Sequence, residues 1–189
     1  MIEELILKNR SYRRFYQDVP VKRDTLKDLV NLARLSACAG NLQPLRFILS
    51  CDGERNNLIF PHLAWAAALK DWGGPVEGER PAAYIIILGD TEVTQYFGCD
   101  HGIAAQSMLL GAVERGLGGC MLGAIDREAM YKALDIPPKY KILLVVAIGK
   151  PKEKVVIDDY KEPGSIKYWR DSEQVHHVPK RLLDDIILY

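Results

Sequence analysis

Two uninterrupted apolar runs constrain this chain more than anything else in it: AAYIIILG at residues 82–89 and ILLVVAIG at residues 142–149. A strand with one wet face alternates apolar and polar residues, whereas a strand covered on both faces reads as a continuous apolar run. The two runs therefore predict buried strands at AAYIIILGD and YKILLVVAIG. Each falls far short of the roughly 20 residues a helix needs to cross a bilayer. The opening MIEELILKNR has neither the basic start nor the long apolar stretch of an export signal, so the chain reads as cytoplasmic.

Helical spacing fills much of the rest. Ile2, Leu5 and Ile6 mark a first helix in IEELILKN, and Leu26, Leu29, Val30 and Ala33 make a stripe along TLKDLVNLARLSA, with Asp24 as its expected cap. CAGNLQP reads as a turn, RFILSC as a short strand, and residues 54–70 as a helical stretch interrupted by Pro61. WGGPVEGERP is expected to be a mobile loop. DHGIAAQSMLLGAVERGLG carries apolar or small residues on nearly every face, which predicts a helix buried on all sides. CMLGA reads as a short extended segment and DREAMYKALDIP as a capped helix stopped by two prolines. From Lys150 onward periodicity disappears, and the chain closes on the apolar RLLDDIILY. A sequence of 189 residues with 48% apolar content supports one core, so residues 1–189 are expected to form a single α+β domain. Residues 150–189 then form an extended arm that packs on something else, such as a partner subunit.

Charge focuses the question of function. The 25 basic and 25 acidic residues cancel, which removes the general electrostatic case for nucleic acid or a membrane surface. Yet RSYRRF sets Arg10, Arg13 and Arg14 within five positions. A local anion site of this kind suits a small phosphorylated ligand. Cys38, Cys51, Cys99 and Cys120 include no CxxC pair, and their wide spacing suits reduced, mostly buried thiols. No GxGxxG follows a strand, and no GxxxxGK[ST], HExxH or GxSxG occurs. The neighbouring His176 and His177 read as part of a solvated tail, because adjacent residues rarely face one site, and no metal is expected. Two further polar groups stand out. AGNLQP offers the donors and acceptors of Asn41 and Gln43 beside small residues that let a flat ligand approach, and VPKRLLDD sets Lys180 and Arg181 before an apolar segment.

Taken together these segments resemble the FMN-dependent nitroreductase-like flavoproteins over nearly the whole chain. RSYRRF resembles the family's R-S-x-R-x-F element, and CAGNLQPLRF is similar to its S-x-x-N-x-Q-P-W turn. DHGIAAQSMLLGAVERGLG resembles its central helix and glycine turn, while AIGKP and an arginine before LLDDI complete the order. Asn9, Cys38 and Leu45 stand where arginine, serine and tryptophan are common in the family.

The resemblance implies an α/β sandwich with a mainly antiparallel central sheet flanked by helices, assembled as an intertwined homodimer with flavins at its interface. It implies that Arg10, Ser11 and Arg13 hold the FMN phosphate and that Arg181 closes on it, with the adjacent Lys180 counted among the cofactor-binding residues. Asn41 and Gln43 would meet the flavin edge, and backbone around Leu122 and Gly123 would pass the ring. It further implies that NADH or NADPH reduces the flavin, leaves, and is followed by an electron-poor acceptor, a nitroaromatic or quinone, in a ping-pong cycle. The cofactor carries the difficult chemistry, so no catalytic side chain is nominated. Alternatives are a non-catalytic or regulatory flavin-binding protein, or a family member with dehalogenase or flavin-cleaving chemistry.

Overall fold

The computed structural model describes residues 1–160 and 164–189. Its centre is a five-stranded antiparallel sheet built from β1 (Phe15–Tyr16), β2 (Leu45–Ser50), β3 (Ala83–Asp90), β4 (Gly118–Leu122) and β5 (Tyr140–Pro151). The two apolar runs are β3 and β5, and they lie side by side with Ile85 opposite Val146 and Ile87 opposite Leu144. Beyond β3 lies β2. Along its other edge β5 pairs first with β4 and then, at Lys150 and Pro151, with β1.

The run in β3 is continuous because both of its faces are covered. Ile85 and Ile87 pack among Leu26, Leu29 and Ala33 of α2 (Arg23–Leu35) and Ala105, Met108 and Leu109 of α4 (Asp100–Glu114). The intervening Tyr84, Ile86 and Leu88 face Ile59 of α3 (Gly53–Ile59) and Met130 of α5 (Arg127–Leu134). Successive side chains on a strand point to opposite faces, so one unbroken run serves two cores.

Several expectations are corrected. Lys22, not Asp24, occupies the cap position of α2, and Asp24 sits in the first turn, where its charge suits the helix dipole. The helical stretch expected over residues 54–70 ends at Ile59, with a short 3-10 turn through Pro61 and no helix from residue 63 to residue 70. Proline has no N–H to continue the ladder. The helix expected to be buried on all sides, α4, leaves Ile103 and Gln106 exposed. The apolar stripe of α1 (Ile2–Lys8) is likewise uncovered, with Ile2, Ile6 and Leu7 exposed. Of the four free cysteines Cys120 is buried, Cys38 and Cys51 are half-buried and Cys99 is exposed. Residues 72–81 have no regular structure but are anchored, because Glu79 pairs with both Arg14 and Lys152.

The tail carries more structure than an extended arm. Strands β6 (Val155–Asp159), β7 (Trp169–Arg170) and β8 (His176–Lys180) make a second, three-stranded sheet. In it β6 runs parallel to β8, and β7 runs antiparallel to it. Residues 161–163 of the tail lie outside the described residues. After β8 the apolar residues Leu182, Leu183, Ile186, Ile187 and Leu188 are exposed. Among the described residues no helix is long and apolar enough to cross a membrane.

Candidate functional site: a cation-lined cavity between the chain ends

The segment RSYRRF is fixed by its backbone. Ser11 bridges Gly119 of β4, the Tyr12 N–H donates to the Gly119 carbonyl at 3.0 Å, and Phe15 and Tyr16 pair with the end of β5. Glycine is needed at position 118, where a Cβ would lie 2.5 Å from the Tyr12 ring and 2.7 Å from Pro151. The buried carboxylate of Glu153 completes the attachment. It accepts from the backbone N–H groups of Arg13 and Arg14 and, at 2.9 Å, from Arg170 Nη2 of β7.

Three arginines then divide two tasks. Arg14 turns away and forms a bidentate pair with Glu79, 2.6 Å from Nε to Oε2 and 2.7 Å from Nη2 to Oε1. With Lys152 adding a third contact at 3.0 Å, the Glu79 carboxyl is held down to about 2, chiefly by the Arg14 hydrogen bonds. Arg10 and Arg13 face a cavity of about 340 Å³ that opens between this segment and the tail sheet. Ser11 lines it on the same side, and Tyr168, His176 and Lys180 line the other.

The donors of this cavity are only partly used. Arg10 Nη2 donates to the Ile6 carbonyl at 2.6 Å, while its buried Nε has no partner among the described residues. Arg13 Nη1 donates to the Ser11 carbonyl at 3.2 Å and lies 3.3 Å from His176 Nε2, and the guanidinium sits 4.8 Å from the Tyr168 ring centre. A guanidinium can only donate, so Nε2 must accept and the imidazole proton resides on Nδ1. Burial, and then the charges of Arg13, Arg170 and His177, lower the His176 pKa to about 4, so the ring is neutral at pH 7. The lining thus presents three cations, the hydroxyl-bearing Ser11 and Tyr168, the Asn9 amide and a neutral imidazole, with no acidic side chain among the described residues. This set has the chemistry to hold a compact anion through charge-assisted hydrogen bonds.

The structure brings Arg10, Ser11, Arg13 and Lys180 together and leaves the other expected site residues elsewhere. Arg181 does not line the cavity, and its guanidinium lies 5.4 Å from the Tyr160 ring centre. Residues Pro179 and Lys180 pair with β6, and strand alternation gives Lys180 and Arg181 different directions. Asn41 and Gln43 sit in a tight turn in which Gly40, Asn41 and Gln43 have φ of 55°, 53° and 53°. Gln43 Nε2 donates to the Asn41 carbonyl at 3.2 Å, and Gln43 lines a different cavity of about 220 Å³ beside Cys38 and Asp100. Leu122 is buried at the end of β4, and Gly123 follows it, outside the cation-lined cavity.

Sequence reasoning missed Glu153, Tyr168 and His176. His176 is not solvated but 1% exposed, and its neighbour His177 points the other way, stacked on Trp169 at 4.2 Å and bonded to Asp158 at 2.8 Å. The alternation of a strand at HHVPK was the available signal: two adjacent histidines on opposite faces do not share a site, but one of them can be buried. Among the described residues no cluster of His, Cys, Asp and Glu could hold a metal ion.

An antiparallel sheet flanked by helices, with a cation-lined cavity between residues 9–13 and the tail sheet, defines the class, and the family follows from comparison. Residues 6–150 match the Nitroreductase family, and the chain belongs to it. A protein of Rhodospirillum rubrum named 5,6-dimethylbenzimidazole synthase is 26% identical, over 95% of this chain and 93% of its own. The NADPH-flavin oxidoreductase of Vibrio harveyi is 26% identical over 79% of this chain and 65% of its own. Among solved structures, the FMN-dependent nitroreductase of Clostridium difficile R20291 superposes with a TM-score of 0.67, at 25% identity, covering 100% of this chain and 98% of that one.

Proposed function

We propose that this protein is an FMN-dependent oxidoreductase that takes electrons from NADH or NADPH and delivers them to an electron-poor acceptor of the nitroaromatic or quinone class. The observation that carries the reading is the cavity of Arg10, Ser11, Arg13 and Lys180, in which, among the described residues, a buried Arg10 Nε is left without a partner and no acid competes. A terminal phosphate would supply the missing acceptors. FMN, when bound, supplies the hydride and electron transfer; the names of the Vibrio harveyi and Clostridium difficile relatives support a flavin and a nicotinamide donor.

The chain's own residues bind and orient. Neutral His176 and the Tyr168 ring hold the Arg13 guanidinium in place, Glu153 fixes the backbone beneath it, and Lys180 brings a cation from the tail. No side-chain acid, base or nucleophile is assigned. Asn41 and Gln43 lie outside the phosphate cavity of their own chain, which supports an intertwined homodimer in which they approach the flavin of a second copy. The uncovered apolar stripes of α1 and of residues 182–188 support the same assembly, since both need a surface to cover them.

The deciding experiment is the absorption spectrum of the purified protein, followed by anaerobic addition of each nicotinamide. A yellow protein that bleaches with NADH or NADPH and recovers with a quinone supports the proposal. A colourless protein that binds no added FMN removes it. The Rhodospirillum rubrum relative, named a synthase and not a reductase, favours a second reading in which the same site runs a different reaction of the flavin. In that case the protein binds FMN but shows no steady nicotinamide oxidation with any quinone.

A further inference from the structure

Between the 3-10 turn at His62 and Glu79 the chain makes an excursion, residues 65–74, that has neither strand nor helix and closes on itself. Its root is the buried Trp65 and its end is Gly74, where φ is 115° and a Cβ would lie 2.8 Å from Trp65 Cδ1. Only glycine allows that closure. Compact surface loops whose ends meet in this way are often functional. The N–H groups of Leu69 and Trp72 donate to the carbonyls of Ala66 and Leu69, at 2.8 and 3.1 Å, so the loop holds its own shape. The chain beyond it is tied separately, through Gln17 Oε1 to the backbone N–H groups of Gly78 and Arg80 and through Glu79 to Arg14.

Two residues of the loop reach the tail. The Ala68 N–H donates to the Tyr168 hydroxyl at 3.3 Å, and the Trp72 ring stacks on the Arg170 guanidinium, with Cζ 4.3 Å from the ring centre. Tyr168 and Arg170 are two positions apart, just before and within β7, and so point to one side, while Trp169 between them points to the other and stacks on His177. Each of the two side chains goes on to hold a different part of Arg13. The Tyr168 ring carries the Arg13 guanidinium, and Arg170 is bonded to Glu153, which accepts the Arg13 backbone N–H. Buried Nε of Arg170 has no partner among the described residues, which leaves the Trp72 ring as the other support of this guanidinium. The side chain and the backbone of one cavity arginine thus both lead to the same loop. Neither contact is needed to connect α3 to β3.

We propose that residues 65–74 form a strap that positions Arg13, with Ala68 and Trp72 as its two holds on the tail, and so sets the affinity of the cation-lined cavity for a phosphate. The inference rests on the reading of that cavity as the phosphate site of FMN, and adds to it positioning residues that do not line the cavity. Linkage makes the effect reciprocal: a strap that favours the bound anion must itself be favoured by the anion.

Fluorescence titration of the parent, Trp72→Leu and Trp72→Phe with FMN and, separately, with riboflavin tests the strap. Trp72→Leu should raise the FMN dissociation constant by about fivefold, the worth of one partly exposed cation–π contact. Riboflavin has no phosphate and should bind this variant and the parent alike. Trp72→Phe keeps a ring beside Arg170 and should bind FMN nearly as the parent does. Hydrogen exchange of the parent is the second measurement and depends on no variant folding: FMN should slow exchange at the Ala68 and Trp72 amides and leave Ala129, bonded to Asp126 beside α5, unchanged. A parent that binds no FMN removes the phosphate reading and the strap with it. With a parent that binds FMN, the strap alone is overturned if Trp72→Leu binds FMN as the parent does, if it weakens both ligands alike, if Trp72→Phe is no better than Trp72→Leu, or if the Ala68 and Trp72 amides ignore FMN.

Discussion

Glu153 Oε1 accepts the backbone N–H of Arg13 across 140 residues of sequence. The same carboxylate, whose side chain is fully buried, takes a hydrogen bond from Arg170, itself only 9% exposed. One acid therefore joins the amino-terminal segment to the tail sheet behind the cation-lined cavity. Glu153→Gln would leave the Arg170 charge buried without its counter-ion. Breaking one partner of a buried pair costs about 3–5 kcal/mol. Urea unfolding should show a loss of that order, and FMN should be released more readily. A variant of parent stability would show that the carboxylate is not the joint.

Lys180, rather than Arg181, is the tail cation that lines the cavity. Lys180→Ala should raise the FMN dissociation constant by about one to two orders of magnitude, the worth of one charge-assisted bond. Riboflavin, which has no phosphate, should bind the variant and the parent alike. Arg181→Ala should leave both ligands nearly unaffected. The reverse ranking, from fluorescence titration of the apoprotein, would return the assignment to Arg181.

The paired histidines of β8 should pull stability in opposite directions with pH. His176 falls from its ordinary 6.5 to about 4 on folding, so between those values the unfolded chain takes up a proton that the folded chain refuses. Its effect is to lower stability as pH falls through that window. His177 is raised: burial opposes its charge, but the carboxylates of Asp158 and Asp171 outweigh it. Its contribution is present below 6.5 and fades as pH rises through its higher folded value. Urea midpoints from pH 4 to 8 for the parent, His176→Gln and His177→Gln separate the two. The His176 variant should lose part of the acid-side decline, and the His177 variant should lose stability mainly on the acid side.

The Arg14–Glu79 pair anchors residues 72–81. Glu79→Gln removes the charge that both Arg14 and Lys152 meet, so backbone amides of the loop should exchange with solvent faster while those of β3 keep their protection. Unchanged exchange at Gly78 and Arg80 would mean that Gln17 alone holds the loop.

In solution the protein should sediment as a dimer at micromolar concentration. Removal of residues 182–189 should shift it toward monomer, because the exposed leucines and isoleucines there would lose their role as contact surface. A monomer that keeps its full complement of flavin would count against the assembly and against the reach of Asn41 and Gln43 into a second copy.

The core was legible because its signal is local and long. In β3 and β5 eight apolar residues in succession admit few readings, and Asp126 before α5 caps it as expected, accepting from the Ala129 N–H. The tail was opaque for the opposite reason. VVIDD and HHVPK are five residues each, half polar, and form strands only because each finds the other. Their pairing is long-range, and an alternation only five residues long, as at HHVPK, is too short a signal to stand out by itself. In the site, Arg10 and Arg13 announce themselves as a cluster, but the burial of His176 and Glu153 depends on which face of a short strand or turn meets the rest of the fold. Composition carries no trace of that choice.

The cavity of Arg10 and Lys180 has one more consequence, which concerns manufacture. Its first wall is made within the opening 13 residues of the chain and its second within the last 22, with the whole central sheet between them. During synthesis the amino-terminal arginines leave the ribosome long before anything exists for them to face, and β1 cannot dock until β5 has emerged. The cation-lined cavity can therefore be completed only after β8 has been made. A chain that stops short of β8 can keep both of its hydrophobic layers and still own only half a binding site.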